Sequence, residues 1–197
     1  MSDEEKIVSW LEDNYKGLIL GVLIGLSILY GYKSYISGQN SAQLNISREY
    51  DVAVQNYNEG KTELIMKFSN THMIENPNNI YTNLANLYSA KEMYMQNKLD
   101  KSIIYLNHVV NYSKDQDIVN LAKYRKAKIL IEQKKYDDAH SLLGSKPENY
   151  QHIELKGDLY AIQKKPNEAI TYYNDVLTYS ITPNERKNII AKINLVK

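Results

Sequence analysis

The sequence predicts an all-α protein in which a single N-terminal transmembrane helix is followed by a solenoid of helical hairpins. One short turn recurs three times, as Gln96-Asn97-Lys98-Leu99-Asp100-Lys101-Ser102, Gln133-Lys134-Lys135-Tyr136-Asp137-Asp138-Ala139 and Gln163-Lys164-Lys165-Pro166-Asn167-Glu168-Ala169. Twelve residues before each closing Ser or Ala stands another small residue, Ala90, Ala127 and Gly157. Near the other end, the run from Gly17 to Tyr32 carries no charge.

Taken in chain order, residues 1–16 form a short tail whose acids, Asp3, Glu4, Glu5, Glu12 and Asp13, outnumber Lys6 and Lys16. Ile7, Trp10 and Leu11 share one helical face there, which either lies on a membrane surface or extends the span that follows. The charge-free run would make a helix of about 24 Å. Lys33 can snorkel, and Tyr35 and Ile36 lengthen the stretch to roughly 20 residues, enough for a hydrocarbon core of about 30 Å. The transmembrane helix is therefore placed at 17–36, with Tyr30, Tyr32 and Tyr35 as an interfacial belt. An acidic start and the lack of a small-x-small cleavage site after the run argue for an uncleaved anchor rather than a secretory signal. Lys6 and Lys16 on one side balance Lys33 and Arg48 on the other, so charge leaves the orientation open. Gly17, Gly21 and Gly25 recur every four residues and form one helix face that can pack closely on a neighbouring membrane helix or on a second copy.

Residues 37–79 read as a linker helix and an irregular first hairpin. Ala42, Ile46, Tyr50, Ala53 and Tyr57 keep helical spacing up to Gly60, and a second short helix carries Leu64, Ile65 and Phe68. Asn76-Pro77-Asn78-Asn79 then breaks the chain. Repeat helices follow near 80–96, 100–112, 117–133, 136–143, 148–163 and 167–179. A closing helix begins at Thr182-Pro183-Asn184-Glu185, where Thr caps, Pro takes the first turn and Glu reaches back; it is expected to bury Ile189, Ile190, Ile193 and Leu195 or Val196.

The recurring small residues have a steric reason. Two antiparallel helices joined by a tight turn approach closely only where side chains are small, while Met93, Leu130 and Tyr160 on the first helix and Leu106, Leu143 and Tyr173 on the second fill the flanking space. Ala90 to Ala127 is 37 residues and Ala127 to Gly157 is 30. These spacings straddle the 34 of tetratricopeptide repeats, which residues 80–197 resemble.

Composition narrows the function. A net charge of +1 suggests neither a polyanion nor a strongly cationic partner, and with no cysteine there are no disulfides, thiol nucleophiles or cysteine metal sites. The excess of tyrosine, 18 against a single phenylalanine, reads as coding bias alongside the abundant Asn, Lys and Ile. His72, His108, His140 and His152 stand alone without metal-ligand spacing and read as structural or surface residues. Asp137-Asp138 and Asp115-Gln116-Asp117 sit at helix starts, where carboxylates suit the helix dipole better than they suit acid-base catalysis. Lys123, Arg125, Lys126 and Lys128 read as a solvated surface. No catalytic, cofactor or metal site is expected.

A stack of helical hairpins offers instead a concave surface for protein partners. Projecting from the first helix of each hairpin gives a candidate partner groove of Lys91, Tyr94, Tyr124, Lys128, Glu154 and Asp158, cationic toward one end and acidic toward the other.

The order of these parts resembles the bacterial YfgM family over nearly the whole chain. The matching strings are Asn14-Tyr15-Lys16-Gly17 entering the span, Gly157-Asp158 with Ala169 in the last repeat, and Thr182-Pro183 before Lys192-Ile193-Asn194. The resemblance implies an inner-membrane protein with a cytoplasmic N-terminus and a periplasmic repeat domain. It further implies an ancillary subunit of the Sec translocon that associates with SecYEG and the periplasmic chaperone PpiD and assists exported polypeptides. Without the resemblance, a scaffold of an envelope assembly complex and a regulator that sequesters a signalling protein fit the same residues.

Overall fold

The computed structural model describes residues 3–145, 147 and 149–197. Among them run nine helices and no strand: α1 Asp3–Asn58, α2 Glu63–Glu75, α3 Ile80–Met95, α4 Leu99–Tyr112, α5 Gln116–Glu132, α6 Tyr136–Leu143, α7 Tyr150–Ile162, α8 Pro166–Val176 and α9 Pro183–Val196. The helix start expected at 148 and the first two residues of the expected tail lie outside the described residues. The chain divides into two units, Met1–Glu49 and Tyr50–Lys197.

The first unit is helical over its described length. Leu20, Val22, Ile24, Leu26, Ile28 and Leu29 are each more than half exposed. An unbroken exposed apolar surface of this kind is costly in water and neutral in hydrocarbon. The segment is long and apolar enough to cross a membrane. A Cβ built on Gly17, Gly21 or Gly25 meets nothing within 4 Å, so the glycine face is open.

In the second unit, Gly60 at φ 84° lets the chain turn out of α1, and α2 buries Ile65 and Phe68 while leaving Leu64 exposed. A buried hydrogen bond of 2.7 Å joins the Ser69 and Ser89 hydroxyls, tying α2 to α3. Three hairpins follow, α3 with α4, α5 with α6 and α7 with α8. Ala90, Ala127 and Gly157 on the first helices and Ser102, Ala139 and Ala169 on the second are all buried, as close helix approach requires. The hydroxyl of Ser102 donates 2.7 Å to the Ala90 carbonyl across the first of these approaches. At the third, a Cβ on Gly157 would stand 2.7 Å from the Tyr173 ring, which is why that position has no side chain.

The recurring turn is one backbone motif made three times. Asn97, Lys134 and Lys164 have φ of 56°, 60° and 59°, the left-handed region. The next amide donates back over the helix end, Lys98 to the Met93 carbonyl, Lys135 to Leu130 and Lys165 to Tyr160, at 2.8, 2.8 and 3.0 Å. Each helix thus ends in a Schellman turn that satisfies its terminal carbonyls and reverses the chain. The hairpins differ in length: α6 stops after 8 residues where α4 runs 14, which accounts for part of the shorter second spacing.

The closing helix has the predicted capping box, with the Glu185 amide donating 3.3 Å to the Thr182 hydroxyl and the Thr182 amide donating 2.8 Å to the Glu185 carboxylate. Ile189 and Ile193 are buried against Ile153, Tyr173 and Val176. One expected core residue is not: Ile190 is 45% exposed, because only one stripe of α9 faces the stack, and of the pair Leu195 or Val196 it is Leu195 that stays out, 85% exposed. Val196 is the terminal residue that packs.

Candidate partner-binding groove

The first helices of the hairpins, α3, α5 and α7, carry every predicted groove residue, and the structure sorts these residues into two groups. Lys91, Tyr94 and Lys128 surround a pocket of about 210 Å³ between α3 and α5, completed by Ala90, Ser102, Leu106, Arg125 and Ile129. Tyr124 stands beside it. Its ring stacks on His152 at 6.2 Å, and the Lys128 ammonium lies 5.6 Å from its centroid. Lys91 is held in the same manner, 5.9 Å from the Tyr57 ring. Such contacts steady a lysine while leaving its charge available. The Tyr94 hydroxyl donates to Glu132, and that hydrogen bond, followed by the carboxylate's charge, raises its pKa.

Glu154 and Asp158 belong to the second group. The Lys192 ammonium of α9 donates to Glu154 at 2.6 Å and to the two Asp158 oxygens at 2.7 and 2.8 Å. Asp158 also accepts 2.8 Å from the Tyr173 hydroxyl. Burial opposes the charge on Lys192, but its hydrogen bonds to Asp158 and Glu154 outweigh that and hold its pKa above the ordinary value. For Tyr173, burial and then the Asp158 carboxylate push the pKa up. Burial also raises Tyr124, with Glu154 and Asp158 adding to it. The acidic end of the predicted groove is therefore already engaged by the protein's own closing helix.

Arg125 departs from the solvated-surface reading. Its side chain lies half-buried between α5 and α3, donates 3.2 Å to the Leu87 carbonyl and faces the pocket; burial lowers its pKa. The histidines are structural ties. His108 accepts 2.9 Å from the Asn86 side-chain amide at Nδ1 and donates 3.3 Å from Nε2 to the Met73 carbonyl. His152 reaches the Asn120 carbonyl at 2.9 Å and His140 the Gln163 side chain at 3.1 Å, each linking neighbouring helices. Arg125 carries a trace in the sequence, two residues before the small Ala127 and so near the crossing, whereas nothing local marks Lys192 as the partner of residues more than thirty positions earlier.

A family model described as a tetratricopeptide repeat-like domain matches residues 8–197. A protein of Buchnera aphidicola from Schizaphis graminum is 33% identical over 75% of this chain and 77% of its own length. One from the Acyrthosiphon pisum strain is 29% identical over 91% and 92%, and one from Escherichia coli K12 is 25% identical over 96% and 93%. All three relatives are named ancillary SecYEG translocon subunit. This chain belongs to the YfgM family. No solved structure matches it. In this YfgM-family chain the family match spans the apolar helix as well as the repeats.

Proposed function

We propose that this chain is a non-enzymatic ancillary subunit of the Sec translocon. Residues 17–36 cross the bacterial inner membrane and residues 1–16 stay in the cytoplasm. The repeats of residues 80–197, led in by 37–79, stand in the periplasm, where they bind a PpiD-like chaperone and polypeptides leaving SecYEG. The observation that carries the reading is a family match running from residue 8 to 197, with relatives named for the translocon aligned over most of their length. The exposed apolar helix supports an anchor, and a helix face of Gly17, Gly21 and Gly25 open to close approach supports docking on membrane helices. The pocket beside Tyr94 and Lys128 supports a binding rather than a chemical role for the repeats.

The test is photo-crosslinking in intact cells from probes at Ser27, Tyr94 and Tyr124, with partners identified by mass spectrometry. Translocon subunits from Ser27, and a periplasmic chaperone or exported chains from the two tyrosines, are expected. Cytoplasmic partners at the tyrosines would overturn both orientation and function. Replacing Gly21 and Gly25 together with Leu is expected to reduce recovery of translocon subunits in mild detergent; full recovery would remove the glycine face from the model of docking.

A further inference from the structure

We infer that the face of α7 and α8 beneath α9 is a receptor for a partner's helix carrying one lysine among apolar residues, and that α9 is the chain's own stand-in, which such a helix displaces. This rests on the reading of the repeats as a protein-binding surface and names the partner's chemistry and what holds the site closed. The seated segment shows what fits. Ile189 and Ile193 of α9 enter an apolar seat of Ile153, Tyr173 and Val176, and Lys192, between them in sequence, donates to Glu154 and Asp158. Lys192 stands 35 residues after the small residue Gly157, as Arg125 stands 35 after Ala90, so α9 takes beside α7 the place that α5 takes beside α3. The carboxylates are particular to α7. At the positions that Glu154 and Asp158 hold relative to the small residue, α3 has Leu87 and Lys91 and α5 has Tyr124 and Lys128. Two acids within reach of one ammonium select a helix that brings a cation in this register and reject one that brings an acid.

The closure is built to be reversible. One stripe of α9 is buried, while Ile190 and Leu195 face solvent, so the helix is held along a single line. Its clasp lies at the surface: the side chains of Lys192, Glu154 and Asp158 are 30%, 29% and 31% exposed, within reach of a competing ammonium. Beside the clasp opens a pocket of about 370 Å³ bordered by Asp158, Ala161, Ile162 and Leu195, an apolar foothold next to the charge. Residues 177–182, which lead into α9, form no helix and can let it swing. α9 itself has 14 residues, and helices of that length are marginal in water by themselves. It therefore gives up order each time it docks, whereas a helix already folded within a partner spends less on docking and can outcompete it.

The experiment uses the full chain in detergent and the fluorescence anisotropy of a labelled peptide of residues 183–197, the one segment known to fit the seat. The chain has no cysteine, so Ala161→Cys on α7 and Leu195→Cys on α9 can be bridged by a bis-maleimide with a reducible linker. Bridging is expected to weaken peptide binding at least tenfold and reduction to restore it, while capping the two thiols separately with N-ethylmaleimide leaves it within twofold. Lys192→Met in the chain is expected to tighten binding at least threefold by freeing the acids. Glu154→Gln together with Asp158→Asn should weaken it at least tenfold, and a peptide carrying Lys192→Glu should bind at least tenfold more weakly. The bridged chain keeps Lys192 and both acids, so it decides the matter if those variants do not fold. Equal binding to bridged and reduced chains, equal binding of the glutamate peptide, or no binding to the open chain overturns the inference. Dimers seen by light scattering that bridging abolishes would give the seat to α9 of a second copy and overturn it too. If crosslinks from Tyr94 and Tyr124 find translocon partners while no peptide binds, the displaceable closure fails and the translocon role stands; if the peptide binds the open chain alone while the crosslinked partners are cytoplasmic, the reverse holds.

Discussion

The junction between α3 and α5 and the junction between α7 and α9 use the same architecture for opposite ends. At the second, Lys192 of α9 reaches two carboxylates of α7, beside the α7–α8 crossing that Tyr173 fills against Gly157. At the first, Arg125 meets a backbone carbonyl, Ala90 stands in place of glycine, and a pocket is left. Satisfied charge and filled volume close a stack, whereas a half-buried cation beside an open pocket makes a surface that still has free energy to gain from a partner. The way to break the comparison is to disturb each junction and see which loses stability and which loses binding.

The largest loss is expected from Gly157→Ala. The new Cβ would lie 2.7 and 2.8 Å from two carbons of the Tyr173 ring. That ring is 2% exposed and fixed by its hydrogen bond to Asp158, so it cannot swing away. Overpacking of this kind costs about 3 kcal/mol. Thermal or urea unfolding of the isolated variant measures it, and an unchanged midpoint would mean the third crossing is looser than its geometry. Lys192→Met comes next. It strands two carboxylates that are only about 30% exposed, at a cost of about 2 kcal/mol, intermediate between surface and buried pairs. Hydrogen exchange should speed up in α9 and not in α3. Faster exchange in both α9 and α3 would show that the two ends are not independent.

The two ends should also part company with pH. His108, between α4 and α3, has its pKa lowered by burial from 6.5, with the Met73 carbonyl opposing. A depressed histidine contributes its full stability above the unfolded value and loses it as pH falls from there toward the folded value, because the unfolded chain then binds the extra proton. Lys192 is shifted the other way, so its contribution is intact below 10.5 and is lost only as pH rises through its folded value. Acidifying from pH 7.5 to 5.5 is therefore expected to raise amide exchange around Asn86 and His108 and to leave α9 protected. A His108→Gln variant without this slope would assign it; an equal slope in that variant would move the cause to another group.

How much of this was readable in advance follows the range of the interactions. Helix ends were legible because they are set within a few residues: Asp115 caps α5 by accepting from the Asp117 and Ile118 amides, and Thr182 with Glu185 caps α9. The small residues at each crossing were legible because the repeat placed them in register. The exposure of Ile190 was misjudged because helical spacing marks apolar positions without saying how wide a stripe its neighbour covers. The Lys192 clasp and the burial of Arg125 depend on pairings 34 to 38 residues apart, through hairpins of unequal length, and no local pattern encodes those.

The smallest effect concerns the three turns, where the first and later repeats again differ. All three place a residue at φ near 60°, and the first uses Asn97 where the others use Lys134 and Lys164. Asparagine tolerates the left-handed region because its short side chain bonds locally, whereas lysine carries the full clash of its Cβ with the following carbonyl. Lys134→Asn and Lys164→Asn should each stabilise the chain by about 0.5–1 kcal/mol, and Asn97→Lys should cost about as much. Glycine at 134 tests the cause: it removes the clash but loses more backbone entropy on folding, so it should gain no more than asparagine does. If the asparagine variants leave the unfolding midpoint unmoved, the backbone amides of Lys135 and Lys165 already hold their turns without regard to the side chain, and the choice of Asn97 owes nothing to the turn's strain.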